Sequence, residues 1–185
     1  GSVVIGAPLM AADVLPQDVA DTLAFMREEE KLAHDVYLHF SLLYAEQEAP
    51  SMIFTNITAS EQRHTDAVKE LLDKYALDDP AADMGLGEFE NEDLQTLYNG
   101  LVSTGEEGFE EALGVGVVIE QKDMADISDA ITLSAAYADI VKVYTNLLLG
   151  SERHLSSFLK VLDTLAAEPP SVRSDGYTTR GNPNR

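Results

Sequence analysis

Four stretches of the chain carry apolar residues at alternating steps of three and four. The first runs Leu23, Met26, Glu30, Ala33, Tyr37, Phe40, Tyr44, and the second Ile53, Ile57, Glu61, His64, Val68, Leu71, Tyr75. The third runs Phe109, Leu113, Gly116, Glu120, Asp123, Ile127, and the fourth Ile140, Tyr144, Leu147, Ser151, His154, Phe158, Val161, Leu165. Such spacing keeps side chains on one seam of an α-helix and turns that seam towards partner helices. The polar residues within the stripes therefore point where Leu and Phe point. A carboxylate or imidazole on a core face is costly unless an ion pair or a metal offsets it.

Punctuation between the stripes sets the organisation. The first helix opens at Asp18 or Asp21 and runs to about Ala45, broken by Ala49-Pro50-Ser51, and the second runs to about Tyr75. A long connection follows, from Leu77 to about Gly108, with Asp79-Pro80, Gly85 and Gly87. Inside it Asn91-Glu92-Asp93-Leu94 starts a short helix that Gly105 ends. The third long helix spans about Glu106 to Ala130, and the fourth about Ser134 to Ala167, stopped by Pro169-Pro170. The short links make the helices antiparallel in pairs, and the long link allows a crossover between the pairs. The reading is all-α: an N-terminal arm at 1–17, a four-helix bundle over 18–168 and a loose tail at 169–185.

Composition narrows the function. A chain of 185 residues, 45% hydrophobic, supports one domain with a real core, and no apolar run is long enough to span a bilayer. Cysteine is absent, which removes disulfides, thiolate metal sites and cysteine nucleophiles. A net charge of −21, with only twelve basic residues in no stripe, argues against nucleic acid. It fits a solvated acidic surface and equally the attraction of cations. Gly1-Ser2 looks like a cloning remnant, so the compartment stays open, cytoplasmic or exported, for a soluble chain.

The polar core residues point to a buried dinuclear metal site. Glu61-x-x-His64 alone is a weak signal, and its bland reading is a core histidine with a carboxylate that pairs with Arg63 or Lys69. The conjunction over four helices is stronger, because the seams carry no Lys or Arg to neutralise the carboxylates. Four carboxylates (Glu30, Glu61, Glu120, Asp123) balance two divalent ions, and the imidazoles of His64 and His154 add neutral ligands. Oxygen and nitrogen donors suit iron or manganese, with zinc as a further candidate. Some alternatives stay open at this level. Glu29 shares a stripe with Phe25, Leu32 and Val36 and competes with Glu30 for the inward position. Asp123 either supplies a ligand or faces solvent and pairs with Lys122. Tyr37 and Tyr144 are core residues or hydrogen-bond a ligand carboxylate, and Asp126 and Asp139 are candidates to orient an imidazole. His34, one turn from Glu30, is a surface histidine or a third nitrogen ligand, and His39 reads as surface. Gly116 and Ser151 are small enough to leave room for an oxidant.

The segments Arg27-Glu-Glu-Glu-Lys-Leu-Ala-His-Asp-Val-Tyr37 and Ser60-Glu-Gln-Arg-His64 resemble the DUF2202 family. So do Glu111-Ala-Leu-Gly-Val-Gly116, Ile119-Glu120 with Asp123 and Asp126, and Asn146-Leu-Leu-Leu-Gly-Ser-Glu-Arg-His-Leu155. The resemblance covers roughly residues 22–163. More distantly the chain is similar to rubrerythrin and bacterioferritin, in which a first-helix ligand Glu precedes a Tyr by seven residues, as Glu30 precedes Tyr37. The resemblance implies a ferritin-like four-helix bundle whose crossover, between the second and third long helices, holds the short extra helix. It further implies a di-iron centre acting as a ferroxidase-like oxidoreductase on Fe(II), with O2 or H2O2 as oxidant. The pattern departs at Ser151, where a second Glu-x-x-His would have its Glu. An electron donor, if used, is external, since no cysteine is present to build a rubredoxin-type site. Bundles of this kind commonly pair through an outer helical face, which allows a homodimer. Two other classes stand beside the oxidoreductase: a protein that binds or buffers iron, manganese or zinc, and a metal-free bundle with a hydrogen-bonded polar core.

Overall fold

A computed structural model of the chain describes residues 14–46 and 52–167. Among these residues there are five helices and no strand: α1 (Gln17–Leu43), α2 (Met52–Lys74), α3 (Glu92–Gly105), α4 (Phe109–Leu133) and α5 (Ala138–Ala167). The tail expected at 169–185 and most of the expected arm lie outside the described residues. Pro16 precedes α1 and Leu15 is already buried, so the packed region begins slightly before the expected boundary. α3 is capped by the Asn91 side chain, which accepts from the backbone N–H groups of Asp93 and Leu94.

Cross-helix contacts fix the relative directions. Tyr44 meets Phe54 at one end of α1 and α2, and Glu30 meets His64 further along, so these helices are antiparallel. Tyr44 meets Phe109, and Tyr37 bonds Glu120, so α1 and α4 are antiparallel as well. Phe54 meets Phe158 while Lys74 meets Asp139, which makes α2 and α5 antiparallel. It follows that α2 and α4 run in the same direction. The chain between them must cross the length of the bundle, which is the work of residues 75–108.

The charged run on α1 holds that crossover. Successive helical residues point about 100° apart, so Arg27, Glu28 and Lys31 reach different parts of it, with Asp35 one turn beyond Lys31. Arg27 pairs with Asp79 at 3.0 Å. Glu28, 4% exposed, accepts from the backbone N–H groups of Glu90 and Asn91. Lys31 donates to the carbonyls of Gly85 and Glu88, and Asp35 accepts from the N–H of Gly87 at 2.9 Å. Gly87 has φ +74, a conformation that favours glycine, and a Cβ there would collide with the Tyr98 ring.

Two apolar clusters fill the interior. One is aromatic, with Tyr37, Phe40, Tyr44, Phe54, Phe109 and Phe158. The other is mainly aliphatic, with Leu23, Met26, Val68, Leu72, Ile127 and Leu147. On every long helix the polar interruptions fall between the residues of one cluster and those of the other. The polar side chains thus form one layer across the middle of the bundle, with apolar packing on both sides.

Candidate metal centre

Each long helix contributes to the layer. Glu30 comes from α1, Glu61 and His64 from α2, Glu120 and Asp123 from α4, and Ser151 and His154 from α5. Glu30 and Glu120 are 1% exposed, Glu61 2% and Asp123 5%. The His64 Nδ1 atom lies 2.9 Å from Glu61 Oε2 and 3.2 Å from Glu30 Oε2. The His154 Nδ1 atom lies 2.7 Å from Glu61 Oε1 and 3.6 Å from Glu120 Oε1. The imidazole rings are 5.5 Å apart and inclined by 27°. Two triads result, Glu30–Glu61–His64 and Glu61–Glu120–His154, each with ligand-type atoms within 4.8 Å of one another. Glu61 belongs to both.

Several of these atoms lack a conventional partner. Glu30 Oε1, Glu61 Oε1, Asp123 Oδ1 and His154 Nδ1 are buried without a hydrogen bond. Glu61 Oε1 and His154 Nδ1 are close, yet neither is aligned to bond the other. Buried polar atoms are ordinarily satisfied, and one left bare costs about 1–3 kcal/mol. Four such atoms in one layer are the pattern expected of donors converging on cations. The residues present therefore fit a metal centre of nitrogen and oxygen ligands.

The electrostatics are strongly perturbed. Burial raises Glu30 and Glu120 from 4.5 to about 7 in the metal-free protein, with the neighbouring Glu61 charge adding to it. Burial also acts to raise Glu61, but the two imidazoles outweigh it and hold that carboxyl down at about 2. Burial works to lower the histidines, and their carboxylate neighbours overcome it, lifting His64 to about 10 and His154 to about 9. Asp123 is pushed well up, chiefly by burial and then by the charges of Glu30 and Glu29.

The surroundings settle several open alternatives. Glu30 lies in the layer, while Glu29, also buried, turns to Lys122. Asp123 does not face solvent: it accepts from the Ser151 hydroxyl, and Lys122 pairs with Glu29 and Asp126 instead. Asp123 stands outside both triads but beside them. Tyr37 donates to Glu120 Oε1 at 2.7 Å. The Tyr144 hydroxyl is buried without a bond, near enough to Glu30 for that charge to raise it, after burial itself. Asp126 and Asp139 orient neither imidazole, because Asp126 pairs with Lys122 and Asp139 with Lys74 and Tyr75. His34 pairs with Asp35 and His39 with Glu106, both away from the layer. Gly116 leaves no open space either, since a Cβ there would come within 2.6 Å of the Phe158 ring, which fills it.

One contributor escaped the sequence pattern. A Cβ on Gly150 would lie 2.4 Å from the His64 ring, so the glycine makes room for that imidazole. Its signal is only its position beside Ser151 on the fourth stripe. A second regularity appears once the layer is assembled. Glu61 and His64 follow Glu30 by 31 and 34 residues, and Ser151 and His154 follow Glu120 by the same intervals. The two helix pairs are thus equivalent about the layer, with Ser151 at the place of Glu61. The Asp123 carboxylate, bonded to the Ser151 hydroxyl, sits beside the gap.

An all-helical bundle with a buried carboxylate–histidine layer is the class these features define. The chain belongs to the DUF2202 family, an uncharacterized protein domain whose model matches residues 19–172. It is 42% identical over 165 residues to the uncharacterized protein MJ0754 of Methanocaldococcus jannaschii, covering 88% of this chain and 86% of that one. The crystal structure of the hypothetical protein MJ0754 from Methanococcus jannaschii DSM 2661 superposes with a TM-score of 0.76 at 39% identity, covering 88% of each chain. No helix among the described residues is long and apolar enough to cross a membrane.

Proposed function

We propose that the protein is a ferritin-like dinuclear metal protein, with iron the metal the donors suit best, and that it acts as a ferroxidase-like oxidoreductase. The carrying observation is Glu61, whose two oxygens lie against different imidazoles and which belongs to both triads. A carboxylate in that position can serve two cations at once. One ion would be held by Glu30, Glu61 and His64, the other by Glu61, Glu120 and His154, with Asp123 as the adjacent fourth carboxylate. Those four negative charges match two divalent ions, and neutral imidazoles leave the sum unchanged. The parallel course of α2 and α4, joined by a crossover, supports the ferritin-like arrangement.

Bound iron would supply one-electron chemistry, with O2 or H2O2 as the acceptor of electrons from Fe(II). The protein's own groups do the rest. Tyr37 fixes one oxygen of Glu120, and Ser151 fixes one oxygen of Asp123. The apolar clusters on both sides keep bulk water from the layer. The test is metal content of the purified chain, followed by absorption spectra as anaerobic Fe(II)-loaded protein meets O2 or H2O2. Two ions per chain and rapid oxidation support the oxidoreductase. Two ions without oxidation favour a metal-binding or buffering protein. No bound metal after loading refutes the centre.

A further inference from the structure

α4 carries Asp129, Asp126, Asp123 and Glu120 at steps of three residues. On an α-helix a step of three falls about 60° short of a full turn, so such a row winds around the helix. Here it winds inward. Asp129 is exposed, Asp126 half-buried, and Asp123 and Glu120 are 5% and 1% exposed. At the outer end, Asp126 and Asp129 line a surface hollow of about 330 Å³ with Thr22, Phe25 and Met26 of α1. At the inner end, Glu29, Lys122 and Asp123 line a small cavity of about 20 Å³, walled by Leu32, Leu101 and Ile119. That volume suffices for one water-sized guest.

Between hollow and cavity stands Lys122. Its ammonium pairs with Glu29 and with Asp126 and lies 5.2 Å from the Phe25 ring centre. The side chain is 39% exposed, and a long flexible stem lets it swing into solvent. Two buried oxygens on the inner side, Glu29 Oε2 and Asp123 Oδ1, have no hydrogen-bond partner although both residues line the cavity. Glu29, Asp123 and Asp126 carry three negative charges when ionised, against one positive charge on Lys122. A divalent ion would neutralise the remainder.

We propose that this face of α1 and α4 is the route by which divalent cations reach the centre, with Glu29, Asp123 and Asp126 forming a transit site that Lys122 plugs. An incoming ion meets Asp129 and Asp126, displaces the Lys122 ammonium and binds the bare oxygens of Glu29 and Asp123. From Asp123 it passes to the Glu30 and Glu120 carboxylates. Lys122 then returns, and its charge opposes loss of the ion outward.

The proposal rests on the dinuclear reading, and its test separates the two. Metal-free protein is mixed anaerobically with Co(II), and uptake is followed by visible absorption in a stopped-flow instrument, with the final stoichiometry determined by metal analysis. Asp126→Asn/Asp129→Asn, at exposed and half-buried positions that leave the core intact, is expected to slow uptake about tenfold while two ions are still bound. The slowing should shrink at high salt, as screened steering does. Glu29→Gln is expected to slow uptake further at the same stoichiometry. Lys122→Met is expected to speed uptake and to hold a third Co(II). Two ions bound at wild-type rates in all three variants, with no third ion in Lys122→Met, would overturn the route and leave the centre standing. No Co(II) uptake by the wild type would overturn both.

Discussion

Glu61→Gln is the most informative single substitution, because its metal-dependent and metal-independent effects differ. In the metal-free protein Glu61 is 2% exposed and paired with both histidines. Removing its charge leaves the imidazolium groups short of an anion, and breaking a buried pair this way costs about 3–5 kcal/mol. A metal-free polar network predicts that loss and nothing more. The dinuclear reading adds a second loss. An ion at a hundredfold excess over its dissociation constant stabilises the folded state by about 2.7 kcal/mol. Two sites then give roughly 5 kcal/mol, and at about 2–4 °C per kcal/mol for a chain of this size the midpoint rises by roughly 10–20 °C. Glu61 serves both triads, so Glu61→Gln should lose most of that rise rather than half. Thermal unfolding followed by circular dichroism, with metal and with chelator, gives both quantities, and metal analysis gives the stoichiometry. Two ions and an undiminished metal-dependent rise in Glu61→Gln would refute the role of Glu61 as a shared ligand.

Further substitutions and pH probe the same layer. Gly150→Ala should displace the His64 ring and weaken one of the two ions by roughly ten- to a hundredfold, leaving the other nearly unaffected; isothermal titration would resolve the two steps. Tyr37→Phe removes the bond to Glu120 and strands a buried oxygen, costing about 1–3 kcal/mol in the metal-free protein, as denaturant unfolding would measure. Stability of the metal-free protein should fall as pH rises. The raised carboxyls of Glu30 and Glu120 favour folding below 4.5 and lose that contribution up to about 7. His154 and His64 favour it below 6.5 and lose it as pH passes about 9 and about 10 respectively. Glu61 acts in the opposite sense, contributing above 4.5 and losing its contribution as pH falls towards 2. Ligation needs deprotonated imidazoles, so metal affinity should rise over the interval in which the metal-free protein weakens. A stability curve flat from pH 5 to 9 without metal would contradict this. Gly116→Ala should cost about 1–3 kcal/mol by driving a methyl into the Phe158 ring, read as a lowered unfolding midpoint in both metal-loaded and metal-free protein.

The helical periods and most of the candidate layer were legible along the chain because they obey local rules. Stripe spacing, the Asn91 cap and Gly105 mark the helices without reference to distant contacts, and the length of the connection between residues 75 and 108 leaves room for a crossover. The same stripes mark Glu30, Glu61, His64, Glu120, Asp123 and His154 as inward-facing. The observed burial follows, since a side chain on an apolar seam goes where the seam goes. Periodicity cannot say which neighbour a buried charge will meet. It left Glu29 and Glu30 in competition, and both are buried. Only the approach of α4 brings Lys122 to Glu29, and only that of α2 brings His64 to Glu30. Asp126 and Asp139 read as candidates to orient an imidazole, but Asp126 pairs with Lys122 one turn away on its own helix and Asp139 with Lys74 of α2. Gly116 looked like free space in one dimension and is filled in three by Phe158, and Gly150 became meaningful only when the His64 ring came to lie against it. Local spacing determines which face a residue occupies. Which partners share that face depends on the rotation and offset of helices packed from distant parts of the chain, and that only the tertiary structure decides.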